Sequence, residues 1–194
     1  LVAAQVRAKT FNAYLYWSTI LATTTLGTTL ADFVDRSLGI GYAGGASLLA
    51  GLLIGSLLLW RSDMGSIAVE SVNSAKAEYY YWATIMASQT LGTALGDWTA
   101  DTASFGYLGS AALFSGLLLM VFALQHNQRI NAAVAFWLAF VLTRPLGAVV
   151  GDFLDKPLAQ GGLALSRYSA SMALFAMIMA MLLLTKQRAA RAPH

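Results

Sequence analysis

The chain contains no cysteine and only two histidines, His126 and His194. Without a thiol there is no disulfide, no thiolate metal site and no cysteine nucleophile. One histidine lies in a short connector and the other is residue 194, so no histidine pair can hold a haem between helices. Charge is scarce as well. Asp, Glu, Lys and Arg make up 11% of the 194 residues against 58% hydrophobic, a balance that fits a multi-pass membrane protein and not a soluble domain. No lysine falls inside an apolar run, which removes a retinal-type Schiff base. No glycine-rich phosphate loop follows a strand, and nothing resembles a nucleophile with its base. The sequence therefore predicts neither an enzyme nor a bound cofactor.

What is present is a repeat. Trp17, Thr25-Leu26-Gly27-Thr28 and Ala31-Asp32 recur as Trp82, Thr90-Leu91-Gly92-Thr93 and Gly96-Asp97. They return a third time as Trp137, Pro145-Leu146-Gly147-Ala148 and Gly151-Asp152. In each copy the glycine lies 10 residues after the tryptophan and the aspartate 15 after it. Repeats of this length mark a supersecondary unit that buries its apolar face against its neighbours.

The apolar runs place six transmembrane helices at 13–34, 43–60, 79–100, 107–124, 132–154 and 169–185. The predicted fold is an all-α integral membrane protein, one membrane domain over 1–194. Its three parallel two-helix repeats span approximately 12–60, 77–124 and 132–185. Arg7, Lys9, Arg61, Lys76, Arg129, Lys186, Arg188 and Arg191 flank one face, against Arg36, Lys156 and Arg167 on the other. By the positive-inside rule both termini are cytoplasmic. The net charge of +3 is thus a topology signal and implies no nucleic acid. Residues 1–9 echo the end of the second repeat and read as the tail of a preceding span, so an earlier repeat is expected ahead of Leu1.

Fifteen residues of helix cover about 22 Å, so Trp17, Trp82 and Trp137 are expected at the cytoplasmic interface as an aromatic belt. Gly27, Gly92 and Gly147, with small residues four positions on, suit close helix approach. So do Gly44, Gly51, Gly55, Gly109 and Gly116 on the second helices.

The acids are less easily explained as scaffold. An ionised carboxylate at mid-bilayer costs ~2.5 kcal/mol or more, so Asp32, Asp97 and Asp152 need partners, protons or a bound cation. Thr25 and Thr28 precede Asp32 on a helical face, as Thr90 and Thr93 precede Asp97. Carboxylate and hydroxyl oxygens suit hard metal cations. Asp35, Asp101 and Asp155 follow as secondary candidates, with helix-end turns or pairing to Arg36 and Lys156 as the simpler reading. The third repeat differs where it has Arg144-Pro145. Proline frees a backbone carbonyl, and a permanent cation one to two turns before Asp152 needs carboxylates or water near it.

The unit of Trp, Thr-x-Gly and Asp resembles a bacterial family of multi-pass membrane proteins described as a tandem repeat of unknown function, usually with four copies. The resemblance covers nearly the whole chain in three copies, with 143–148 similar to the last copy, and implies a bacterial cytoplasmic (inner) membrane protein. Function has to come from the site. Parallel repeats around a polar path are a recurrent transporter plan. The expected function is secondary transport of a small cation, a metal ion coupled to protons. Asp32, Asp97 and Asp152 would bind it, Thr25, Thr28, Thr90 and Thr93 would add neutral oxygens, and Arg144 would be charge partner or gate. The alternatives are proton-coupled transport of a small organic molecule and a membrane accessory protein whose repeats serve assembly. Lipid, a small cation and protons are the expected partners, and a homo-oligomer is compatible with the sequence.

Overall fold

The computed structural model describes residues 1–8, 12–37, 41–102 and 105–185, without the side chains of 35, 36, 101, 102 and 182. Among these residues the chain is all helical and contains no strand. Seven α-helices run in order: α1 (Val2–Arg7), α2 (Ala13–Asp32), α3 (Gly41–Met64), α4 (Ala75–Asp97), α5 (Gly106–His126), α6 (Ala132–Asp155) and α7 (Arg167–Leu184). Of these, α3, α5 and α6 are long and apolar enough to cross a membrane. The repeated units are therefore α2/α3, α4/α5 and α6/α7.

The first helix of each unit begins on a side-chain cap. Asn12, Ser74 and Asn131 accept hydrogen bonds from the backbone N–H groups of Leu15, Ala77 and Val134, satisfying one orphan donor each. At the other end α2 and α4 stop at Asp32 and Asp97 and continue into π-helical turns, Phe33–Ser37 and Trp98–Thr102. In the third unit α6 instead runs through Pro145 to Asp155, without a π-helical turn. The connector that follows folds back on it: the N–H groups of Leu163 and Leu165 donate to the carbonyls of Phe153 and Leu154.

The centre of the bundle is α4. It packs against α2, α3 and α6, while α5 packs against α6. That position accounts for its many buried polar residues, among them Thr84, Ser88, Gln89 and Thr90. A helix surrounded by protein meets no lipid and can carry hydroxyls and amides that a lipid-facing helix cannot. By contrast α7 has a single buried residue among those described, Ala170.

Away from the aspartates the bundle is closed by rings. Trp60, Tyr81, Trp82 and Trp137 are all buried, with Trp60 and Trp137 edge to face at 5.7 Å and Tyr81 and Trp82 at 5.3 Å. The Tyr16 and Tyr81 hydroxyls share a hydrogen bond of 2.8 Å, and Trp137 Nε1 donates to the Ile67 carbonyl at 2.8 Å. This corrects the aromatic-belt expectation. Trp82 and Trp137 face inward as core, and only Trp17 of the three is exposed. Helical spacing fixes the depth of a ring along the helix but not its rotation toward lipid or neighbour.

The glycines divide in the same way. A Cβ built on Gly27 would lie 3.2 Å from the Thr90 backbone nitrogen, and one on Gly96 would lie 3.1 Å from Ala148 Cβ, so these positions do mark close helix contacts. Gly51, Gly55 and Gly116 have nothing within 4 Å of a built Cβ. The expected packing role of those three is not what the structure shows among its described residues.

Candidate functional site

Three helices from three different units converge on one cavity. It has a volume of about 450 Å³ and is lined by α2, α4 and α6, the first helix of each repeat, with Lys156 just past the end of α6. Asp32, Asp97 and Asp152 all line it, as do Thr28, Thr93 and Arg144. The equal spacing of the repeat sets the acids at equivalent depths, and the packing of α2 and α6 on either side of α4 turns them to a common space.

The geometry also selects among the threonines. Thr25 is exposed and donates its hydroxyl back to the Leu21 carbonyl at 3.1 Å. Thr90 is buried against Gly27 in the α2–α4 contact, with its hydroxyl donating to the Met86 carbonyl. Neither lines the cavity. In the place expected for Thr25 the structure has Thr24, with Thr143 and Lys156 as further unforeseen lining residues. Thr24, Thr28 and Asp32 are spaced by four, as are Arg144, Ala148, Asp152 and Lys156. A strict four-residue stripe counted in both directions from each aspartate would have found Thr24 before Asp32 and Lys156 after Asp152. In the second unit the stripe position holds Gln89, fully buried beside Gly27.

The secondary acids lie apart from this. Asp155 pairs with Arg167 at 3.2 Å, and the cavity lining does not include it. The side chains of Asp35 and Asp101 lie outside the described residues.

Chemically, the cavity holds three carboxylates against two cations, Arg144 and Lys156, with hydroxyls between them. Arg144 is half-buried, and its Nε is buried without a hydrogen-bond acceptor among the described residues. Among the described residues no three His, Cys, Asp or Glu side chains stand close enough to hold a metal ion.

No curated protein and no solved structure matches the chain. The family model described as Repeat of Unknown Function (DUF347) matches three times, over residues 15–63, 80–131 and 135–190. These intervals cover most of the sequence and coincide with the three two-helix units, and so the chain belongs to that repeat family.

Proposed function

We propose that the chain is the membrane-spanning body of a secondary transporter for a small cationic solute, exchanged with or driven by protons. The observation that carries this reading is the convergence of three repeat-equivalent aspartates and Arg144 on one cavity. Ionisable groups facing a bundle interior are costly to keep in a membrane and serve ion or proton paths when they are kept.

In this reading α2, α4 and α7 span the membrane alongside α3, α5 and α6. The central α4 tolerates its polar residues because protein surrounds it. The aromatic closure faces the cytoplasm with both termini, in agreement with the Lys and Arg asymmetry, and the membrane is a bacterial inner membrane. Access to the acids is then from the outer side, with the Trp60, Tyr81, Trp82 and Trp137 cluster as the inner barrier. Cysteines at Asn127 and Gln160 test the orientation, with only the first labelled from the cytoplasm.

Size and charge bear on the solute. A cavity of about 450 Å³ lies in the range of small-molecule sites and is far larger than a bare ion needs. An organic or hydrated cation fits better than a dehydrated metal ion. Arg144 and Lys156 in the same lining also favour solutes that carry an acidic group beside the cationic one.

Uptake into proteoliposomes, screened over organic cations, zwitterions and metal ions with and without a pH gradient, tests the reading. Asp97→Asn keeps the shape of the side chain and loses its charge. It should abolish uptake while the protein elutes as the wild type does. Normal uptake by Asp32→Asn, Asp97→Asn and Asp152→Asn alike would refute the proposal.

A further inference from the structure

The cavity walls present hydrogen-bond acceptors almost throughout. Each threonine in the lining gives its one hydroxyl hydrogen to its own helix: Thr24 donates to the Ile20 carbonyl at 2.7 Å, Thr28 to the Thr24 carbonyl at 3.2 Å, Thr93 to the Gln89 carbonyl at 3.3 Å and Thr143 to the Phe140 carbonyl at 3.0 Å. What these side chains offer a solute is lone pairs. The ionised carboxylates of Asp32, Asp97 and Asp152 likewise only accept. Among the described lining residues the side-chain donors are Arg144 and Lys156. Apart from Gly147 and Ala148 the described lining side chains are polar, and no aromatic ring is among them.

The two donors stand on opposite sides of the acids. Arg144 lies eight residues before Asp152, as Thr24 does before Asp32 and Gln89 before Asp97. Eight residues are two turns, about 12 Å of helix toward the aromatic closure. Lys156 lies four residues beyond Asp152, one turn away in the other direction.

Arg144 is placed for an acceptor that the chain does not provide. Gly92 leaves the room that the Arg144 Cβ and Cγ take against α4, which anchors the stem of the side chain. None of the ion pairs among the described residues includes Arg144, and its buried Nε has no acceptor there. A guanidinium is a planar fork that matches a carboxylate with two parallel hydrogen bonds. At the inner end of an acceptor-lined cavity it is the seat for an acidic group.

We propose that the solute is an amphoteric amine held in one orientation, its acidic group on the Arg144 guanidinium and its ammonium further out, among Asp32, Asp97, Asp152 and the threonine oxygens. This rests on the transport reading above and names the solute class for the same cavity. The cationic end carries N–H groups, because acceptor oxygens recognise hydrogens. A quaternary ammonium has none and is recognised by aromatic faces, which the described lining lacks. Acid and amine stand several bonds apart in the solute, because Arg144 and the aspartates are two turns apart. The polar walls leave no seat for an apolar tail.

Calorimetric titration of the purified wild type in nanodiscs tests this without transport. γ-Aminobutyrate should bind at least ~10-fold more tightly than its carboxamide, the loss expected for one charge-assisted pair. It should also bind more tightly than free glycine, whose charges flank a single carbon, and than its own trimethylammonium analogue. Arg144→Gln should bind acid and amide alike, and Arg144→Lys, which keeps the charge without the fork, should recover part of the preference. Equal binding of acid and amide by the wild type would overturn the proposal, whatever the variants do. So would tighter binding of the trimethylammonium analogue, or binding of neither γ-aminobutyrate nor ornithine. A preference lost in Lys156→Gln and kept in Arg144→Gln would reverse the orientation and overturn it too. The two readings fail separately. Binding in the expected order without uptake would sink the transporter and keep the solute class, whereas proton-coupled uptake of a simple cation by a protein that binds acid and amide alike would do the opposite.

Discussion

Gly92 of α4 and Arg144 of α6 meet so closely that a Cβ at residue 92 would overlap the Arg144 side-chain carbons. The contact is with Arg144 Cβ, which is fixed to the α6 backbone and cannot swing aside. Gly92→Ala should therefore push α4 and α6 apart and displace the guanidinium from the cavity. Overpacking of this kind costs ~1–3 kcal/mol. Thermal unfolding in detergent should show a clear drop for Gly92→Ala and none for Gly51→Ala, whose Cβ enters open space. Equal midpoints for the two variants would mean that the α4–α6 approach is looser than described.

A second tie joins α6 to the connector between α3 and α4. Trp137 is buried, and its indole N–H donates to the Ile67 carbonyl at 2.8 Å across 70 residues of sequence. Trp137→Phe keeps a ring against Trp60 and Tyr81 but loses the donor. The expected loss is ~1 kcal/mol, typical of one hydrogen bond, concentrated in the connector. Amide exchange over residues 65–74 should accelerate while α4 and α6 stay protected. Unchanged exchange would assign the hold on this connector to ring packing alone.

The parts of the fold and site that the sequence revealed are those set by spacing along a helix. Asp32, Asp97 and Asp152 recur at one distance from their tryptophans, and equal spacing gives equal depth, so their meeting in one cavity was legible. Rotation about the helix axis was not. Thr24 and Thr25 differ by about 100°, and one lines the cavity while the other faces outward. The same ambiguity turned Trp82 and Trp137 from an expected lipid belt into core. Gly27 and Gly51 look alike in sequence, yet only the first has a helix against it, because α4 is the hub and α3 presents Gly51 to open space. The π-helical turns after Asp32 and Asp97 leave no composition signal.

At the ends of α3 and α4, Lys76 Nζ lies 2.7 Å from Asp63 Oδ2, and the Tyr80 hydroxyl donates to the same oxygen at 2.8 Å. Hydrogen bonds from Lys76 and then Tyr80 hold the Asp63 carboxyl below its ordinary value of 3.8. The hydrogen bond that the Lys76 ammonium donates to Asp63 lifts Lys76 above its ordinary 10.5. A depressed acid contributes above its unfolded value and loses that contribution as pH falls through the folded one. A raised amine contributes below its unfolded value and loses that as pH rises through the folded one. The clasp should therefore persist across the whole neutral range and open below about 3.8 or above about 10.5. Because the pair is solvent-exposed, the effect should be local, with faster exchange around residues 62–76 and an unchanged unfolding midpoint. Lys76→Met should give that faster exchange at neutral pH. A pH dependence of local exchange between these limits in the wild type would contradict the assignment.

Arg144 occurs in one unit only, so the symmetry of the scaffold did not require it. It lines the cavity with all three aspartates and Lys156. Removing it leaves three carboxylates facing one cation. Breaking a fully buried pair in this way costs roughly 3–5 kcal/mol. Here the groups are only half-buried, so a smaller loss is expected, with proton uptake by one acid as relief. Arg144→Met should lower the unfolding midpoint and shift solute binding to a different pH range. Pairing it in turn with Asp32→Asn, Asp97→Asn and Asp152→Asn forms three double-mutant cycles. The aspartate that Arg144 balances is the one whose neutralisation restores the midpoint, and its coupling should stand out from the other two. Coupling spread equally over all three would describe a guanidinium shared around the cavity, as an electrostatic gate would be. Strict additivity in all three cycles would mean that Arg144 is solvated and balances none of them, and its role as charge partner would be lost.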